Sequence, residues 1–230
     1  MQATRAEPSP GIWRYSAAGF LVMIVLMYLT EPYVERLPDG RVARGLIMSF
    51  VLFSGGLAVG ERKGILVWAA VLGIPSIIMT WLWHFRPDLV SREVAVGTAL
   101  LFVLFVSARL FRFVLTARTV DSEVLCAAVA TYLMLGLGLT LSYILVALAD
   151  PHAFAWTVSP ASGQAMDGFT AMYYSLTTQA TLGPGDIVPV SPTARLLTMT
   201  QAIGGMFYVT ILIARLVGVY SSQNRETGRG

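Results

Sequence analysis

Charge is scarce in this chain, and lysine is almost missing from it. Of 230 residues only 13% are Asp, Glu, Lys or Arg, about half the share of an ordinary soluble domain, and Lys63 stands alone beside fifteen arginines. The formal charge of +3 is spread through short loops and gathers into no patch, so no nucleic-acid partner is expected. Cysteine is reduced to Cys126, inside an apolar run, which excludes a disulfide framework within the chain and any CxxC metal site and reads as a small core residue. The two histidines, His84 and His152, stand apart with no further ligand at metal spacing. Also missing are a nucleophile set beside a base, a phosphate-binding glycine loop before a helix, and an HExxH pattern. An enzyme is therefore not expected, nor a cofactor.

What fills the space is apolar: 56% of the residues are hydrophobic and the mean hydropathy is +0.68. That is the composition of an integral membrane protein. After a polar tail and an interfacial Trp13-Arg14-Tyr15, an apolar run covers 16–30. It is short enough to suggest a signal peptide, but no small-x-small cleavage site follows before Glu31-Pro32, and it is read as a helix. A charged turn with Pro32, Pro38 and Gly40 spans 31–44, a second crossing covers 45–60, and Glu61-Arg62-Lys63-Gly64 forms a tight hairpin into a third, 65–85. Pro75 is a candidate kink in that third run, and Trp81, Trp83 and His84 mark its interfacial end. The fourth run covers 94–108 and continues through Arg109 and Arg112 towards Leu115. Voltage-sensing helices carry several arginines inside the membrane, since one charge moved contributes only about 2.3 kcal/mol per 100 mV. No arginine lies between Val94 and Ser107, so strong voltage gating is not expected; Arg109 and Arg112 read as snorkelling side chains or as a vestigial sensor.

The fifth run, 122–149, is the longest, and a segment bearing Pro, Ser and Gly, 150–167, separates it from the stretch AMYYSLTTQATLGPGD at 171–186. A helix over 168–180 would be roughly 20 Å long, too short for a hydrocarbon core of about 30 Å, so the chain must enter and turn back. Non-helical backbone at that depth is tolerated only against protein or a water-filled path. Gly183 and Gly185, with Thr181 before them, suit a loop that turns carbonyls towards a cation. A sixth run, 193–220, follows, with Arg195 and Arg215 twenty residues apart, about one hydrocarbon thickness of helix, and Gly204-Gly205 near its middle. Ten residues come after Tyr220, and no appended domain is expected there. With the N-terminus inside, ten of the sixteen basic residues fall on the cytoplasmic side and six outside, in keeping with the positive-inside rule, and both termini read as cytoplasmic in a multi-pass protein of the cell membrane.

At Thr181-Leu182-Gly183-Pro184-Gly185-Asp186 the chain resembles the filter of the potassium-channel superfamily, T-V-G-Y-G-D after a short pore helix. Tyr173 and Tyr174 hold the place of the family's aromatic pair, and the similarity covers about the last hundred residues. Pro184 departs from the pattern, since it replaces an aromatic residue, and so does Ala180, where a second threonine is usual. The resemblance implies an all-α fold of six transmembrane helices with a pore loop between the fifth and sixth. It divides the chain into a tail (1–15), a four-helix sensor-like or scaffold part (16–118), a pore domain (119–220) and a second tail (221–230). It also implies a homotetramer passing monovalent cations, K⁺ first, with carbonyls of Thr181, Leu182, Gly183 and Pro184 and the Thr181 hydroxyl forming the ion sites and Gly185 completing the filter. Asp186 then stands at the outer mouth, attracting cations or bracing the filter. Thr177 and Thr178 brace the filter or satisfy their own helix, the tyrosines form a cuff or pack between helices, and Gly204 and Gly205 form a hinge or a close-packing surface. The expected partners are copies of the same chain, membrane lipids and the permeant ions. A weakly selective cation pore is the second reading. A non-conducting interaction protein is another, as is a transporter with a broken helix, although the second broken helix of an inverted repeat is not found.

Overall fold

The computed structural model describes residues 17–34, 40–59, 63–117, 119–157, 165–166 and 168–227. The expected interfacial anchor at Trp13 to Tyr15, the hairpin tip at 60–62, Arg118 and most of the segment 158–167 lie outside the described residues. Helix α1 is Ala17–Val34, α2 Gly40–Val59, α3 Lys63–Phe85, α4 Arg92–Thr116, α5 Ser122–Ala149, α6 Gly168–Gln179 and α7 Pro192–Thr227, with short strands β1 (Phe154–Trp156) and β2 (Ile187–Pro189) on either side of α6. Five of these helices, α1, α3, α4, α5 and α7, are long and apolar enough to cross a membrane, while α2 holds a shorter apolar run, Val42–Ala58.

The first helix corrects the expected turn at 31–44. Its buried stripe is Phe20, Ile24, Met27, Glu31 and Val34, spaced three or four residues apart, so the face that packs inward continues past Thr30. Pro32 falls in the last turn, where its ring and missing N–H disturb only the turn before it. Glu31 is buried on this face because the Arg44 guanidinium of α2 pairs with it, and an unpaired carboxylate there would be costly.

Helix α5 is the axis of the chain. Small residues along it, among them Ala127, Ala130, Gly136 and Gly138, are buried and let neighbouring backbones approach closely. Helices α1, α4, α6 and α7 all pack on it. One cluster joins Phe20 and Ile24 of α1, Leu52 of α2, Phe102 and Val106 of α4, and Met134 and Leu137 of α5. A second joins Tyr143 and Ile144 of α5, Phe154 of β1, Ala171 and Tyr174 of α6, Ile187 of β2 and Ala194 of α7.

Polar ties fix the order of the ends. The Ala17 amide donates to the Glu123 carboxylate at 2.8 Å, Asp121 caps α5 by accepting from the Val124 amide, and Arg215 of α7 donates to the Ala117 carbonyl at 3.0 Å. These contacts gather the start of α1, the end of α4, the start of α5 and the distal half of α7 at one end. Glu31, Arg44, His84, Arg92, Ile144 and Gly168 line a common cavity at the other.

Beyond the expected helices, the strands pair antiparallel with Phe154 opposite Pro189, Ala155 opposite Val188 and Trp156 opposite Ile187. The ribbon draws together the two chain segments that flank α6. Helix α7 starts where its sequence dictates, with Ser191 Oγ accepting from the Ala194 amide and Pro192 in the first turn, where no amide is needed.

Candidate functional site

Helix α6 has 12 residues, about 18 Å of helix. Its first residue, Gly168, lies against the Arg44 guanidinium, at the end of the bundle that holds Glu31 and His84. Its last turn meets the middle of α5: the Ser175 hydroxyl donates to the Gly136 carbonyl at 2.7 Å and the Gln179 amide donates to the Tyr132 carbonyl at 2.7 Å. The helix thus stops about halfway along its neighbour, and residues 180–186 lead back to the end from which it came.

The reversal is local chemistry. The Thr181 amide bonds to the Thr178 carbonyl at 2.9 Å and the Leu182 amide to the Thr177 carbonyl at 2.8 Å, the paired bonds of a helix that ends on a left-handed residue. That residue is Thr181, with φ of 57°, an uncommon conformation for a β-branched side chain. Gly183 follows at φ 50° and Gly185 at φ 79°, so every second residue from 181 to 185 is left-handed. Residues 180–185 are all exposed in the single chain, with Leu182 72% exposed, and among the described residues no atom beyond the chain neighbours lies within 4 Å of where a Cβ would stand on Gly183 or Gly185.

The return strand is anchored to the segment after α5. The Thr157 hydroxyl donates to the Gly185 carbonyl at 2.6 Å and the Thr157 amide to the Asp186 carbonyl at 2.9 Å. Asp186 is half-exposed, its Oδ1 accepts from the Ile187 amide at 3.0 Å, and the Tyr173 phenol lies beside its carboxylate. The Val190 amide closes the turn onto the Ala153 carbonyl at 2.8 Å.

Behind the loop, the two tyrosines part company. Tyr174 is buried, stacks edge-on against Tyr143 at 4.9 Å and Phe154 at 5.5 Å, and its hydroxyl pairs with Thr198 Oγ1 at 2.8 Å. Tyr173 is half-buried and leans on Phe169. The Thr177 hydroxyl donates to the Tyr173 carbonyl at 2.8 Å, satisfying its own helix, while Thr178 is buried beside the Tyr174 phenol.

Sequence reasoning passed over the polar set that holds α6 in place. Gln201 of α7 is buried; its amide donates to the Ser175 carbonyl and Ser175 Oγ, both at 2.9 Å, and reaches Gln179 Oε1 at 3.3 Å. Its own oxygen accepts from the Tyr143 hydroxyl at 2.6 Å. The signal was present, since Gln179 and Gln201 are amides within membrane-type segments, where a buried polar group needs partners. The glycine pair also separates: a Cβ on Gly205 would stand 2.5 Å from the Gln179 carbonyl oxygen, whereas one on Gly204 would meet nothing within 4 Å.

Comparison with known proteins falls on this same part of the chain. Residues 133–222 match the family described as "Ion channel". Over 51 residues, 22% of this chain, the sequence is 41% identical to the protein named voltage-gated potassium channel Kch of Escherichia coli strain K12, and the match spans 12% of that protein's length. The part of the chain that carries the short helix and its glycine-bearing return loop, 133–222, is thus similar to ion channels, among them one named as a potassium channel.

Proposed function

We propose that four copies of the chain form a passive pore for monovalent cations, K⁺ first, on a fourfold axis lined by residues 181–185. In this reading the chain crosses the membrane six times, counting α2, and α6 is a re-entrant pore helix; 119–220 is the pore domain and 16–118 a sensor-like or scaffold part. Both termini are cytoplasmic, and the filter opens to the outside of the cell membrane. A cation entering the filter exchanges its water shell for rings of carbonyl oxygens from Thr181, Leu182, Gly183 and Pro184, with the Thr181 hydroxyl beneath them. The Gly185 carbonyl is engaged by Thr157, so in the proposal it braces the outer rim. Asp186, repeated in each copy, raises the local cation concentration at the mouth.

The observation that carries this reading is the alternation of left-handed φ at 181, 183 and 185 in a loop fully exposed in one chain. Such alternation lets successive peptide groups face one side, and an exposed apolar loop such as this one, with Leu182 at its tip, is covered when copies assemble. The face of α7 is apolar in the same way, with Met199, Ile203 and Phe207 each more than half exposed, and in the proposal those side chains meet lipid or a neighbouring copy.

Pro184 supports a second reading, a weakly selective cation pore. It presents a carbonyl but no aromatic ring with which to brace the loop from behind, and its φ is fixed. Flux of K⁺, Na⁺ and a large organic cation into liposomes containing the purified protein decides between them, with Pro184→Tyr measured beside the parent. K⁺ flux that excludes Na⁺ is expected from the parent. Equal passage of K⁺ and Na⁺ establishes the weakly selective pore, and absence of flux from both proteins overturns the conducting reading.

A further inference from the structure

A cavity lies away from the return loop, at the end of the bundle where α1 finishes and α6 begins. Its volume of about 460 Å³ is that of a small-molecule site. Its lining is mostly apolar, with Met27, Ala99, Leu137, Ile144 and Met172 supplied by α1, α4, α5 and α6, and it also includes Arg44, Arg92, His84 and Glu31. Two arginines face one carboxylate among the lining residues, and since Glu31 pairs with Arg44 the unbalanced charge is that of Arg92. Arg92 lies over the Trp83 ring, 5.7 Å from its centroid, and Trp81 stacks on Phe85 at 5.5 Å. Tryptophans of this kind sit at the boundary between headgroups and acyl chains.

We propose that this cavity binds an anionic amphiphile, with its carboxylate or phosphate head at Arg44, Arg92 and His84 and its acyl chain lying along α5 towards Met172. The excess of arginine over carboxylate in the lining selects against a cationic head, and the apolar lining selects against a free inorganic anion. Two walls, Gly168 and Met172, belong to α6, and the Arg44 guanidinium would stand 2.8 Å from a Cβ on Gly168. An occupant therefore touches the helix that carries the return loop, and its head engages the arginine against that helix's first turn.

The experiment uses the full-length protein in detergent with Trp13, Trp68 and Trp156 changed to Phe, so that Trp81 and Trp83 report alone. Dibromostearic acid should quench their fluorescence saturably, because bromine quenches on contact. Its methyl ester and the Arg92→Gln variant should each bind roughly tenfold more weakly, the scale of one lost charge-assisted hydrogen bond. Arg44→Gln leaves Glu31 buried without its partner, so the head site is tested there with Glu31→Gln/Arg44→Gln, and the tail site with Ala95→Leu, which narrows the cavity. Dibrominated phosphatidylglycerol and phosphatidylcholine form the second arm. Quenching by the phosphatidylglycerol in place of the free acid assigns the head to a lipid. Equal quenching by acid and ester, or parent-like binding by Arg92→Gln, overturns the site. The readout is binding alone and does not require the protein to conduct.

Discussion

At Gly205 a methyl group would stand 2.5 Å from the Gln179 carbonyl oxygen and 3.0 Å from its Cγ. Nothing there is the free end of a flexible chain, so backbone must move. Gly205→Ala is accordingly expected to destabilise the packing of α6 on α7 by about 1–3 kcal/mol, the range for an overfilled contact, and, in the proposed channel, to lower flux by displacing the last turn of α6. Gly204→Ala, facing open space in the single chain, should leave the thermal midpoint in detergent close to that of the parent. Equal losses at both positions would point to a general requirement for flexibility at this place in α7 and against a contact made by one of the two. The sequence presented Gly204-Gly205 as a pair, because spacing alone cannot say which member faces a neighbour. The turn at 181–185 was easier to read. Gly183 and Gly185 announce left-handed backbone by residue type, and both adopt it. Thr181 does so as well, which its type argues against; helix termination forces it, since the Leu182 and Thr181 amides need the carbonyls of Thr177 and Thr178.

On the scale of elements, α6 is tied to α5 and α7 by hydrogen bonds from buried side chains. Gln201 serves Ser175, Gln179 and Tyr143 together, and its side chain is 2% exposed. Gln201→Met keeps the volume but leaves the Tyr143 hydroxyl and the Ser175 carbonyl without these partners, at roughly 1–3 kcal/mol for each stranded group. Tyr143→Phe strands a single acceptor and should cost about 1 kcal/mol. Thermal unfolding followed by helical circular dichroism should therefore rank Gln201→Met well below Tyr143→Phe; the reverse order would mean that the Tyr143 ring contacts, and not the amide, position α6. The long helices α3, α4 and α5 were legible because each is a continuous apolar run. The end of α1 was not, since Glu31 and Pro32 look like breakers until the spacing of Phe20, Ile24, Met27, Glu31 and Val34 is followed. The β1–β2 ribbon was hidden for another reason: each strand has 3 residues, and its partner lies across the whole of α6.

For the whole molecule the question is whose α5 each front half covers. Only residues 117–121 separate α4 from α5, too short a connection to carry α4 to a neighbouring copy and yet leave it antiparallel to α5. Within one chain Phe102, Val103 and Val106 of α4 share a core with Ala130, Met134 and Leu137 of α5. Tyr28 of α1 adds a hydrogen bond to the Leu133 carbonyl at 2.8 Å. A cysteine pair can ask the assembled protein directly. A Cβ on Gly138 would lie 3.4 Å from Val103 Cγ1; one further bond length puts the two Cβ atoms at most about 5 Å apart, at the upper edge of disulfide geometry. With Cys126→Ser removing the natural thiol, Val103→Cys/Gly138→Cys should oxidise to a product that migrates as a monomer on a denaturing gel. A ladder of dimers and higher species under the same oxidation would mean that α4 docks on the α5 of an adjacent copy. The monomeric outcome has a mechanical consequence. Each front half then bears on its own α6 through Met27, Arg44 and Gly168, so whatever fills or strains the cavity there acts first on the α6 of the same chain, and in the proposed tetramer the four loops would respond independently before they respond together.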